Sequence, residues 1–163
     1  MSFIGSGILR MEIYGFMHLA RKAQLIDKVD GYNIVYKWFD YLKSQGHFIN
    51  AFVPIAIGMP NHVHAVVSFI ETGQSLNNII GNGKRFIAYD IIKTFKENNE
   101  CELLNLLSDA VEIKRKANNK KHEVWELSFD WKYCSSDQFV QQKTDFTHTN
   151  PCKGKWNLNA FPE

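Results

Sequence analysis

The chain has no pair of cysteines at metal-binding or redox spacing. Cys101, Cys134 and Cys152 are odd in number and far apart, which argues against a disulfide framework or a cysteine zinc site and for reduced, structural thiols. It has no apolar run approaching the ~20 residues of a membrane span. Its first residues, MSFIGSGILRM, are too short and too weakly apolar for a signal peptide. A cytosolic, membrane-free protein is therefore expected. Charge of one sign is also missing: 19 Lys and Arg against 17 Asp and Glu leave a net charge of only +2. Bulk charge thus identifies no nucleic-acid partner, and a local patch has to carry any such role. Repeats and low-complexity linkers are absent as well. The 163 residues are expected to form one domain, with residues 1–10 as an irregular lead-in.

What the chain does have is apolar and aromatic material. Hydrophobic residues make up 45% of it, with 12 Phe, 6 Tyr and 4 Trp, enough for a packed core and too much for a disordered chain.

Residues 11–19 predict a strand. Asp30 is placed to cap a helix running to about Ser44, with Ile34, Val35, Trp38, Phe39 and Leu42 on one face and Gly46 ending it. Residues 48–57 predict an apolar strand with an edge or bulge at Pro54. Gly58-Met59-Pro60-Asn61 predicts a turn, stabilised by the Asn61 side chain, and residues 62–70 predict the strand completing a hairpin. Residues 75–97 predict a helical region, with Gly81 and Gly83 breaking it into two pieces. Residues 101–117 predict another helix, and residues 123–133, rich in Trp and Phe, a strand. Ser135 and Gln138 have capping-box spacing for a last helix ending near His148, with Pro151 stopping it. Antiparallel strands interrupted by two helices predict an α+β fold of ferredoxin-like type.

Within the predicted strand 62–70, alternate residues share a face. Val63, Ala65, Val67 and Phe69 would line the core, and His62 and His64 would project together on the other side. Two neighbouring imidazoles can chelate one metal if an oxygen ligand is supplied from elsewhere. Two half-exposed histidines on an ordinary strand are the alternative.

The segment Met59-Pro60-Asn61-His62-Val63-His64 resembles the signature of the single-tyrosine HUH transposases, particularly the REP-associated tyrosine transposases, in which an apolar residue separates two metal-binding histidines. Residues 139–151, FVQQKTDFTHTNP, are similar to that family's C-terminal helix, which typically reads QKLDYIHNNP, and Trp125 also fits the pattern. The resemblance covers roughly residues 11–163. It implies metal-dependent cleavage and rejoining of single-stranded or hairpin DNA through a phosphotyrosine. It also implies Mg²⁺ or Mn²⁺ held by His62 and His64, with Asn150 completing the site one helical turn after the nucleophile, and a homodimer. The chain departs from the family at the nucleophile itself. Phe146 stands where the tyrosine is expected, and a phenyl ring has no oxygen with which to attack phosphorus. The chain is then a decayed or domesticated DNA-binding relative, an engineered variant, or a protein using another tyrosine such as Tyr89 or Tyr133. Of these two, Tyr89 reads as packed on the apolar face of its helix and Tyr133 as a distant second choice.

His148 occupies the position of a histidine in the family's helix motif, and helix-surface hydrogen bonding is its expected role. His18, His47 and His122 read as surface or structural. Lys84 and Arg85 begin a helical piece, and Lys114, Arg115, Lys116, Lys120 and Lys121 form a basic stretch. These seven are the candidate DNA phosphate contacts, with a solvated loop as the alternative for the basic stretch. Trp125, Trp131 and Trp156 read as core or interface residues.

Overall fold

A computed structural model describes residues 10–18, 31–53, 62–126 and 130–149. The elements run β1 (Arg10–His18), α1 (Gly31–Ser44), β2 (Phe48–Val53), β3 (His62–Ile70), α2 (Leu76–Glu97), α3 (Cys101–Asp109), α4 (Ile113–Lys116), β4 (Asp130–Tyr133) and α5 (Asp137–Thr149). The four strands form one antiparallel sheet in the order β2-β3-β1-β4. β1 and β3 are central, and each helical crossover skips one strand. This is the split βαβ arrangement of a ferredoxin-like α+β fold, as the sequence predicts.

The pleat of β3 divides the molecule in two. Val63, Val67 and Phe69 are buried with Ile34, Val35, Trp38, Phe39 and Leu42 of α1 and Ile80, Ile87, Ile91 and Phe95 of α2. The α1 residues are those its periodicity predicts. On the opposite face Val66 packs with Ala51 and Cys134 beneath Phe139 and Val140 of α5. The sheet is thus covered by α1 and α2 on one side and by α5 on the other.

Several local expectations are corrected. Asn50 is the extra residue of a β-bulge between Ile49 and Ala51; the irregularity predicted at Pro54 lies outside the described residues, as does the 58–61 turn with Asn61. The bulge lets Ile49 and Phe52, three residues apart, both pack on the α1 core. Gly81 and Gly83 do not break α2, which is continuous over 22 residues and capped by Ser75, whose Oγ accepts from the Asn78 N–H at 3.2 Å. Each glycine costs a helix about 1 kcal/mol, and the four apolar side chains that α2 buries outweigh that.

The helix predicted over residues 101–117 is two helices, because Val111 turns into the interior at the break. Among the described residues, the strand predicted over 123–133 is Asp130–Tyr133. Glu123, Val124 and Trp125 are buried in succession, which an alternating strand does not permit, and Val124 and Trp125 join the α2 core instead. The cap of α5 is Ser136, whose Oγ accepts from the Phe139 N–H at 3.2 Å, rather than Ser135. Cys134 is buried, Cys101 is exposed, and Cys152 and Pro151 lie outside the described residues. No helix among the described residues is long and apolar enough to cross a membrane.

Candidate functional site

His62 and His64 occupy alternate positions of β3, at the end of the strand where His62 pairs with His18 and His64 with Phe16. His64 lies on the α5 side and is only 8% exposed, so it is a covered residue rather than a half-exposed one. Part of its cover comes from α5. The ring of Phe146 stands edge-on to the His64 imidazole, with centroids 6.2 Å apart and planes at 70°. The two motifs singled out in the sequence, 75 residues or more apart, therefore meet at these two side chains. Phe146 remains 41% exposed, so its ring borders solvent and the buried histidine at once.

Lys143, one turn earlier on α5, places its ammonium 5.1 Å from the Phe139 ring centroid and 5.7 Å from that of Phe146. Sequence reasoning missed it. Its three-residue spacing from Phe146, which puts both on one helical face, was the available signal. The side chains of His62 and His148 and the whole of Asn150 fall outside the described residues. Among those described, no group of three or more His, Cys, Asp or Glu could hold a metal ion. Of the candidate donors, the described residues place one, the His64 imidazole, and a divalent ion there would need further ligands, oxygen among them.

Five of the seven candidate phosphate contacts lie on the other side of the molecule, around a cleft of about 1070 Å³ between α2 and residues 115–126. Lys84, Arg85, Arg115, Lys120 and Lys121 line it; Lys114 and Lys116 do not. They are not equivalent. Arg115 and Lys120 both bond to the buried carboxylate of Glu123, the latter at 2.7 Å. Lys84 donates to the Glu126 carbonyl at 2.5 Å, while its own carbonyl accepts from Trp125 Nε1 at 2.7 Å. Burial pushes the Lys84 ammonium below the usual lysine range, and Glu123 and Glu126 offset part of that shift. Lys84 ties residues 125–126 to α2, while Arg115 and Lys120 close the segment 115–123 on itself through Glu123, structural roles the sequence did not disclose.

One aromatic expectation is corrected. Tyr89 is 62% exposed rather than packed, because the buried stripe of α2 runs through Ile87 and Ile91 and leaves position 89 outside. Trp125 is in the core; Trp131 is exposed on the edge strand β4, which leaves the interface half of its core-or-interface reading; Trp156 lies outside the described residues. His47 is structural, as expected: its Nδ1 accepts from the Ile70 N–H at 3.2 Å.

The fold is similar to that of solved transposase structures. One is a REP-associated tyrosine transposase bound to a REP hairpin, 17% identical, matched over 96% of this chain and 76% of that one with a TM-score of 0.56. A second is a protein of Deinococcus radiodurans R1 described as a transposase, 14% identical, matched over 89% of this chain and 95% of that one with a TM-score of 0.52. These likenesses establish the shared fold. No protein-family model matches the chain, and none of the curated proteins does.

Proposed function

We propose that this is a transposase-like DNA-binding protein whose site belongs to the single-tyrosine HUH type, with Phe146 filling the nucleophile position. The observation that supports this reading is the meeting of His64 and Phe146 across the β3–α5 contact. His62 and His64, with Asn150, would hold a divalent metal such as Mg²⁺ or Mn²⁺. A metal bound there would supply Lewis acidity to the scissile phosphate. The chain's own contribution is positional: β3 fixes the His64 imidazole, and α5 holds the side chain at 146 beside it, at the solvent boundary where a strand can approach. By analogy with the hairpin-bound neighbour, the DNA is a hairpin or single strand. Without an oxygen at position 146 the chain as written binds that DNA without forming a phosphotyrosine.

The test is Phe146→Tyr with labelled hairpin DNA and Mn²⁺. The variant is expected to give a covalent complex that survives denaturing electrophoresis and disappears with EDTA or with His64→Ala, while the unsubstituted chain gives none. An adduct from the unsubstituted chain would show that another residue is the nucleophile. Failure of the variant on every hairpin tried would favour the second reading, a DNA-hairpin-binding relative without catalysis, for which the absent hydroxyl is the specific observation. The proposal includes a homodimer, for which the exposed Trp131 and Tyr133 of edge strand β4 offer apolar surface; light scattering on the same preparation would then report twice the 18.9 kDa of one chain.

A further inference from the structure

The outer surface of α2 carries a pattern that neither the core nor the histidine site uses. Arg85, Tyr89, Lys93 and Lys96 follow one another at helical spacings of four, four and three, so they form a stripe along one side of the helix. The stripe is about 16 Å long at 1.5 Å per residue. All four line the cleft, and Lys121 and His122 face them from the opposite wall. In total the walls hold seven lysines and arginines against three glutamates. Of the glutamates, Glu123 is occupied by Arg115 and Lys120, and Glu97 stands 3.8 Å from Lys93 in a solvent-exposed pair worth little. The field in the cleft is positive enough to act on His122: burial lowers the pKa of its imidazole, and Lys96 and Lys121 lower it further. In the middle of the stripe stands an exposed phenol ring with cations before and after it.

A cationic track interrupted by an exposed aromatic is the chemistry that binds unpaired nucleotides. Phosphates take the ammonium and guanidinium groups, and a base that is not stacked in a duplex takes the ring face. A duplex presents phosphates but no free base, so the ring distinguishes the two. We propose that the cleft between α2 and residues 115–126 binds a single nucleic-acid strand, stacking a base on Tyr89 and taking phosphates on Arg85, Lys93, Lys96 and Lys121. The strand lies on the α2 side of the sheet, away from His64. The assignment rests on the nucleic-acid reading above and on nothing about the metal.

Fluorescence anisotropy of labelled dT12 and rU12, in EDTA and at low salt, tests this on the full chain. Tyr89→Ala is expected to weaken binding about tenfold and Tyr89→Phe to restore it, since stacking needs the ring and not the hydroxyl. With four phosphate contacts the slope of log affinity against log salt is near −3, and Lys93→Ala with Lys96→Ala should reduce it by about 1.4. Lys37→Ala, on α1, removes one charge elsewhere and should leave the slope unchanged. A 12-base-pair duplex should compete at least tenfold less well than the single strand. The preference between dT12 and rU12 then states which sugar the cleft accepts. Equal binding by Tyr89→Ala, or equal competition by the duplex, would overturn the proposal, as would absence of binding by the unsubstituted chain. Because EDTA excludes the metal, this result and that of the Phe146→Tyr adduct test are independent of one another.

Discussion

Gly83 of α2 lies directly against the indole of Trp38 on α1, so that a β-carbon at position 83 would overlap Nε1 and the adjoining carbons Cε2 and Cζ2 of the indole. The contact sets how closely α1 and α2 cross above the sheet. It follows that Gly83→Ala destabilises the fold, although alanine is the better helix former. The helix gains about 1 kcal/mol, while forcing a methyl group into a closed contact costs about 1–3 kcal/mol. A net loss of about 1 kcal/mol is expected as a lower midpoint in urea with the slope unchanged. Gly81, with open space around it, is the internal control, and Gly81→Ala should be neutral or stabilising. A stabilised Gly83→Ala would mean that Trp38 has room to move aside.

The same glycine shows why part of the fold was legible and part was not. Periodicity identified the α1 face through Ile34, Val35, Trp38, Phe39 and Leu42, and alternation identified Val63, Val67 and Phe69, because burial on one side leaves a mark in the pattern. Gly81 and Gly83 read as helix breakers because local propensity is all a sequence window holds, whereas the Trp38 contact is made by a residue 45 positions away. Glu123, Val124 and Trp125 read as strand for the converse reason: apolar and aromatic content survives in the sequence, but the partner does not. At the candidate site, the HxH and the C-terminal helix were both visible, and their meeting through His64 and Phe146 required only that α5 cross the predicted outer face of β3. The clamp of Arg115 and Lys120 on Glu123 was hidden inside a run of positive charge that looks identical whether solvated, paired or bound to phosphate.

His47 makes stability depend on pH. It is 3% exposed, its ring packs 5.0 Å from that of Phe69, and its Nδ1 must be unprotonated to accept from the Ile70 N–H. Burial pushes its pKa below the ordinary 6.5, and His122 is shifted the same way. The unfolded chain therefore takes up protons at a pH where the folded chain does not. The contribution is complete above pH 6.5 and is lost as pH falls through the folded-state values. Urea unfolding from pH 7.5 to 5 should show this decline. His47→Gln, which can still accept from Ile70, should flatten it while costing about 1 kcal/mol at pH 7.5. An unchanged pH slope in that variant would remove His47 from the account.

The carboxylate of Glu123 ties the two proposed roles of the basic segment together. Its side chain is 11% exposed and bonds to both Arg115 and Lys120, which are about one-third exposed. Glu123→Gln keeps the shape and removes the charge. Full burial of the partners would make the loss 3–5 kcal/mol; their contact with water reduces it to about 1–2 kcal/mol. The substitution also releases two cations at the wall of the cleft. In the dT12 titration it should therefore tighten binding at low salt and steepen the salt slope by up to about 1.4, two further phosphate contacts at ~0.7 each. A variant that loses stability and gains affinity separates the clamp from the binding track. If stability falls and the slope does not steepen, Arg115 and Lys120 do not reach the strand even when released, and the track is confined to α2 and Lys121. If neither changes, the carboxylate does not hold the segment, and the structural role given to Glu123 is wrong.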